Sequence, residues 1–279
     1  MIGAAMHNRS SYLLIAPAAL TLAIFFLVPM AQVLWLSFSE PSFGFHNYRE
    51  LIQSDVIHRV WWNTLRVCVA TTFFAILLGY PVAYAMAHSN TRHRNIMVTC
   101  IVLTFWLSVL IRAFAWVVLL RANGLINTLL IDLGIIYQPL RLVRNEMGVL
   151  IGMVHYMLPI AVLPMYANMR TVSGRYVDAA RGLGASASRA FFLVYLPLTK
   201  PGIIAAAILV FIITLGFYIT PAILGGGRVI MIAEFIRMSF DETLRWGYAT
   251  MLASSLLIVV ALLLFILSRL VDLRKVFGA

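Results

Sequence analysis

The chain has 279 residues, 62% of them hydrophobic and 11% charged, with a mean hydropathy of +0.95 and a formal charge of +11. Soluble domains carry about 25% charged residues, so the composition excludes a water-soluble globular protein and points to a single-domain polytopic membrane protein. The positive charge does not point to nucleic acid, because the basic residues are spread over loops without a run of interleaved aromatics.

A bilayer core needs about 20 apolar residues as helix. Six stretches qualify, at about 12–37, 61–86, 96–120, 147–167, 202–223 and 247–269. The expected fold is therefore an all-α, six-helix membrane bundle over residues 1–279. The first stretch is too long for a signal peptide's apolar region and lacks a small-x-small cleavage site, so it reads as a retained anchor. The second carries Tyr80, Pro81 and Tyr84. Tyr rings suit alkyl-amine stacking but are also common at membrane interfaces. In the short turn after it, His88 and His93 are five apart and would not share a helix face, so no metal site is expected.

Arg112 lies in the third stretch. Counted along an unbroken helix from Ile96, it comes about 24 Å from the inner edge. It either snorkels or pairs with a helix end, or it lines an outer cavity. His155 and Tyr156 sit mid-way along the fourth stretch, ahead of Pro159 and Pro164, a pattern of kinked cavity-wall helices. His155 is either a satisfied interhelical hydrogen bonder or a pathway residue, and Tyr156 and Tyr218 stand with it as pathway candidates. Gly225–Gly227 is no phosphate loop, because no Gly-Lys-Ser/Thr follows. It reads as a flexible re-entry into the membrane, or as a contact for a docked partner.

Six spans put both ends of the chain on one side. With that side inside, the inner segments hold 11 Lys and Arg, among them Arg9, Arg92, Arg94, Arg269, Arg274 and Lys275, and the outer ones 9. Eight of ten acids fall outside, so net charge is about +9 inside and +1 outside. The bias favours both termini in the cytoplasm. Cys68 and Cys100 then lie at opposite leaflets, too far apart to be bridged.

The segment between the fourth and fifth stretches, about 168–200, reads "DAARGLGASASRAFFLVYLPLTKPG" from Asp178. Ser173 can cap a short helix beginning near Gly174. Asp178 and Arg181 can pair on its surface, and Gly182 or Gly184 can end it in a left-handed residue. Ser186 can cap a second helix that Pro197 closes, and Pro201 suits the first turn of the next span. Helix and turn signals alone leave open an amphipathic linker that merely covers the bundle end.

The spacing is more specific. Asp178-Ala179-Ala180, three residues, Gly184, nine residues, Val194, one residue, Leu196-Pro197 closely resembles the cytoplasmic Glu-Ala-Ala signature of binding-protein-dependent ABC importer permeases. Asp178 stands for Glu and Val194 for Ile. The segments "LIRAFAWVVLLRANGLINTLL" from Leu110, "MLPIAVLPMYANM" from Met157 and "FYITPAILGGG" from Phe217 look like spermidine/putrescine-type permeases, and the similarity extends over nearly the whole chain.

The resemblance implies the type I importer fold and a coupling helix that docks in a cytoplasmic ATPase. Asp178, Ala179, Ala180, Arg181, Gly182, Leu183, Gly184, Leu196 and Pro197 would form that coupling site. It implies a heterodimer with a second permease, two copies of an ATP-binding subunit, and a periplasmic solute-binding protein. ATP and Mg would be held by the partner ATPase and no cofactor by this chain, which would be a transport subunit and not an enzyme. The implied place is the bacterial inner membrane. The solute would be a polyamine such as spermidine or putrescine, or an opine, 4-aminobutyrate or another amino-acid-like solute. An ion-coupled secondary transporter usually keeps carboxylates at mid-membrane, whereas here every Asp and Glu falls in a loop or at a span end.

Overall fold

The computed structural model describes residues 16–270, with side chains through Ile266. Arg9, Arg274, Lys275, the Arg269 side chain and the first four residues of the 12–37 span lie outside the described residues. The described chain is helical throughout, in the order α1 (Ala16–Ser39), α2 (His46–Gln53), α3 (Asp55–His88), α4 (Thr91–Trp106), α5 (Val109–Leu120), α6 (Leu125–Asp132), α7 (Glu146–Met169), α8 (Arg175–Gly182), α9 (Ala187–Leu215), α10 (Ile219–Gly225), α11 (Ile232–Asp241) and α12 (Trp246–Leu270).

Among the described residues, six segments are long and apolar enough to cross a membrane: Ala16–Ser39, Asp55–His88, Val109–Asp132, Glu146–Met169, Ala187–Leu215 and Trp246–Ile266. Four agree with the spans expected from sequence. Two are corrections. The 96–120 stretch is not one helix, because the backbone turns extended at Leu107 and Ser108 and ends α4 there. The segment there that is long and apolar enough to cross is Val109–Asp132, itself divided at residues 121–124 between α5 and α6. The 202–223 stretch is displaced towards the N-terminus, since α9 starts at Ala187, inside the expected 168–200 loop, and stops at Gly216.

Pro197 does not close a helix. Residues Phe191–Tyr195 form a π turn in which the Leu196 N–H reaches back to the Phe191 carbonyl. The wider turn makes room for the Pro197 ring, and α9 runs on through Pro197 and Pro201.

The chain forms two compact units. One comprises the residues up to His58 with Ile236–Val259. Here buried Asn47 donates to the carbonyls of Ser37 and Glu40, at 3.1 and 2.7 Å, and so closes the turn between α1 and α2. Phe38 stacks on Tyr48, and Arg245 pairs with Glu50 at 2.8 Å while lying over the Tyr248 ring. Most of α1 is exposed apolar surface, Phe25 and Trp35 included, as lipid solvation demands.

The other unit comprises Arg59–Phe235 with the residues from Val260 on. Its centre is α7, which buries Met153, Met157 and Met165 and packs along α9 and α10. Small residues allow that approach. A Cβ on Gly152 would come 2.7 Å from a Thr220 methyl, and one on Gly202 would come 2.6 Å from the Asn168 Cβ. Pro159 and Pro164 both lie within the continuous α7.

Candidate functional site

The Asp178 segment forms the expected helix–turn–helix. Helix α8 ends in paired backbone bonds: the Ala185 N–H reaches the Ala180 carbonyl and the Gly184 N–H the Arg181 carbonyl, both at 3.0 Å. Gly184 takes φ +90°, the left-handed conformation that only glycine adopts freely. The Ser186 hydroxyl then accepts the Arg189 N–H and starts α9. Two local expectations fail. The N-cap of α8 is Gly174 rather than Ser173, with no side-chain cap, since the Ser173 carbonyl takes the Tyr176 N–H. Asp178 and Arg181 form no ion pair among the described residues; both are exposed to water, where such a pair gains little.

The tip is bare. Leu183 is 91% exposed. A Cβ built on Gly182 or Gly184 would meet nothing within 4 Å. Ala179 is exposed and Ala180 half-buried. Behind the tip lies a cavity of 460 Å³ whose walls include Asp178, Arg181, Arg170, His88, Tyr84 and Tyr195. Tyr84 stacks on His88 at 4.2 Å and meets Phe191 and Tyr195 edge-on at 5.7 and 5.4 Å. The Thr199 hydroxyl donates to the Leu196 carbonyl, which leaves the Tyr80 hydroxyl to donate to Thr199 at 3.0 Å. The C-terminal end of α3 is thus tied to α9 at its π turn. Leu196 is half-buried and Pro197 exposed on the same stretch. Tyr80 and Tyr84, candidates for a pathway by sequence, stand in this joint.

A second polar cluster surrounds the break between α4 and α5. Arg112 is buried. Its guanidinium donates to the carbonyls of Thr104 and Leu107, which the break has deprived of helical partners. It lies 4.9 Å from the centre of the Tyr156 ring, and Tyr156 packs on Phe217 at 4.6 Å. Next to it, Trp116 Nε1 donates to His155 Nδ1 at 3.1 Å. Arg112 therefore pairs with a helix end, one of the two readings open from sequence, and His155 is a satisfied hydrogen bonder between helices. Tyr218, partly exposed at the start of α10, adjoins the cluster through its neighbour Phe217.

Neither cluster brings a nucleophile to a base, and both are built to hold helices. Residues 75–276 match the family of binding-protein-dependent transport system inner membrane components. The spermidine/putrescine transport system permease protein PotB of Haemophilus influenzae is 33% identical over 272 residues, 95% of each chain. The chain belongs to this family. It is a multi-pass inner-membrane permease of ABC importers, a transport component and not an enzyme. PotB of Escherichia coli is 30% identical over 233 residues, 84% of each chain. A bacterial alginate ABC transporter, solved in complex with an alginate pentasaccharide-bound periplasmic protein, matches with a TM-score of 0.75 at 17% identity. That match covers 94% of this permease and 93% of the other chain and shows the common fold.

Sequence reasoning missed several members of both clusters. His88, Phe191 and Tyr195 carried a usable signal, since 84/88 and 191/195 are four apart and share a helix face. Thr199, Trp116 and Phe217 carried none, because their partners are remote in the chain. The glycine run forms a defined turn rather than a flexible one. Gly226 and Gly227 end α10 in left-handed conformations, and Gly226 lies against the Arg144 side chain.

Proposed function

We propose that this permease imports a polyamine, spermidine or putrescine, as one half of a heterodimeric membrane channel. A periplasmic binding protein delivers the solute. Two copies of an ATP-binding subunit hold ATP and Mg, and the chain itself carries no cofactor. Both termini lie in the cytoplasm, and the turn between α8 and α9 is the coupling element that one ATPase grips.

The observation that carries the coupling role is the bare tip. Among the described residues nothing requires Gly182 to be small or Leu183 to be apolar: a Cβ on Gly182 would meet nothing within 4 Å, and Leu183 is almost fully exposed. An exposed leucine flanked by side-chain-free positions fits a socket on another protein that admits backbone and one apolar knob. The Tyr84–Tyr195 joint gives movement of the tip a route into α3 and α9. The solute assignment is supported by likeness to polyamine permeases over 95% of the chain. Arg112 is no obstacle to a cationic solute, because its charge is engaged by helix-end carbonyls.

Cells lacking their own polyamine importers, given this chain with its three partner proteins, should take up labelled putrescine or spermidine. Uptake should be saturable, sensitive to vanadate and retained with a protonophore. Uptake of 4-aminobutyrate with neither polyamine would move the assignment to the amino-acid-like solutes. A cysteine placed at Ser186 should be labelled only after the inner membrane is permeabilised, and one at Ser42 from outside. The opposite pattern would reverse the orientation.

A further inference from the structure

At the far end of α7 from the coupling turn, four arginines surround one cavity of 460 Å³: Arg121, Arg141, Arg144 and Arg228. All four are exposed. None forms an ion pair among the described residues. Glu146, the acid nearest in sequence, is taken by Arg66. Gathering four like charges without a counter-charge is unfavourable, so the fold must hold them there.

It does so with bonds from buried groups. Asn127 is completely buried; its amide donates to the carbonyls of Arg121 and Leu140, both at 3.1 Å, and its oxygen accepts the Leu140 N–H at 2.8 Å. This clips the end of α5 to the 140–145 loop. The Arg144 N–H donates to the Leu224 carbonyl at 2.7 Å, which fixes the loop to α10. Arg144 itself has φ +60°, an uncommon conformation for a residue with a side chain. Its side chain occupies the space a Cβ on Gly226 would take, 2.6 Å from that position.

The cavity walls between the arginines are apolar, with Leu120, Leu142 and Val143 among them. Beside it, α6 and the chain after it expose Leu125, Leu129, Leu133, Ile135 and Tyr137. Exposed apolar residues next to a cationic rim mark the level where hydrocarbon gives way to headgroups. Guanidinium forks match phosphate oxygens two at a time.

We infer that this recess is a binding site for an anionic phospholipid, with the phosphodiester held by the four arginines and the adjoining acyl chains on the apolar walls. An acidic protein surface would satisfy the charges but leave the recess unfilled. The inference requires only that the chain lies in a membrane, and stands apart from the solute and coupling assignments.

The test is a lipid titration of the full chain in neutral detergent, read by native mass spectrometry. The probes are phosphatidylglycerol, phosphatidylcholine and inorganic phosphate. R141Q/R228Q removes two exposed charges whose side chains make no hydrogen bond among the described residues. R92Q/R94Q removes the same charge from the first turn of α4, and an unchanged melting temperature checks that each variant is folded. Wild type and R92Q/R94Q should prefer phosphatidylglycerol over phosphatidylcholine. R141Q/R228Q should lose about tenfold or more of its affinity for phosphatidylglycerol alone, and R141K/R228K should recover only part of it, because lysine keeps the charge without the fork. Equal losses in both glutamine variants would reduce the effect to bulk charge and overturn the site. Displacement by inorganic phosphate at concentrations like those of the lipid would make it a free-anion site. Unchanged lipid binding by R141Q/R228Q, with lost capture of the solute-binding protein, would assign the arginines to an acidic protein instead.

Discussion

The turn at Leu183–Gly184 and the break at Leu107–Ser108 both stop a helix, and they satisfy its end in different ways. At the first, the freed carbonyls of Arg181 and Ala180 are taken by backbone N–H groups three and five residues on, and glycine supplies the required conformation. No side chain is spent, and the tip is left bare. At the second, both residues at the break are extended and carry side chains, and the carbonyls of α4 are taken by the guanidinium of Arg112, reaching back from the next helix. The first end is independent of its surroundings and free to meet a partner. The second depends on one buried cation, and that cation is fixed in place by Tyr156 on a third helix.

The largest expected effect falls on the bare tip and is functional. A Cβ on Gly184 would meet nothing within 4 Å among the described residues, so the main internal cost of Gly184→Trp is the left-handed strain, about 1–2 kcal/mol. The protein should insert and fold, while transport and co-purification of the ATPase are abolished. Leu183→Ala removes only exposed surface, and should cut transport about tenfold with no change in melting temperature. Normal transport by both variants would show that the tip does not engage a partner.

Arg112→Met should give the largest loss of stability. It leaves two part-buried carbonyls without donors, at about 2–3 kcal/mol for bonds to a charged group. The melting temperature in detergent should fall clearly. Arg112→Lys should recover part of it, since one ammonium is compact and lacks the planar fork. A Met variant as stable as wild type would mean that the break is held by α7 and not by the guanidinium.

These two helix ends also differ in how they can be read from residue order. The α8–α9 turn was legible because its causes are local: Gly184 for the left-handed residue, Ser186 for the cap, and small residues at fixed spacing. The break was not. Residues 96–120 form a largely apolar run without proline or glycine, in which Arg112 is the only charged residue. The sequence showed a cation needing a partner, but not that its partner would be the backbone of its own broken helix. Pro197 misled for a related reason. Proline forbids a normal α turn, but the π turn before it absorbs the ring, and nothing local announces a π turn.

The joint behind the tip is intermediate between these cases, and two variants sharpen the comparison. Tyr84→Ala removes contacts to His88, Phe191 and Tyr195 together. It should cost about 1–2 kcal/mol and leave ATP hydrolysis by the assembled complex poorly linked to uptake. Tyr84→Phe keeps the ring and should be silent. Tyr80→Phe should lose about 1 kcal/mol through its bond to Thr199. A Tyr84→Ala complex that transports normally per ATP would mean the joint only packs, and that movement of the tip reaches α9 directly.

The smallest effect is expected at Ser186, and it separates the shape of the coupling turn from its exposure. The Ser186 hydroxyl caps α9 by a long bond of 3.4 Å, open to water. Ser186→Ala should cost about 0.5–1 kcal/mol at most, a shift near the limit of a melting experiment. The turn itself is closed by backbone bonds from Gly184 and Ala185, which this change leaves intact. If exposure of Leu183 and the absence of neighbouring side chains are what the partner reads, transport by Ser186→Ala should match wild type. If transport falls as far as with Gly184→Trp, the partner reads the angle at which α9 leaves the turn. The cap would then be a functional element in spite of its small energy.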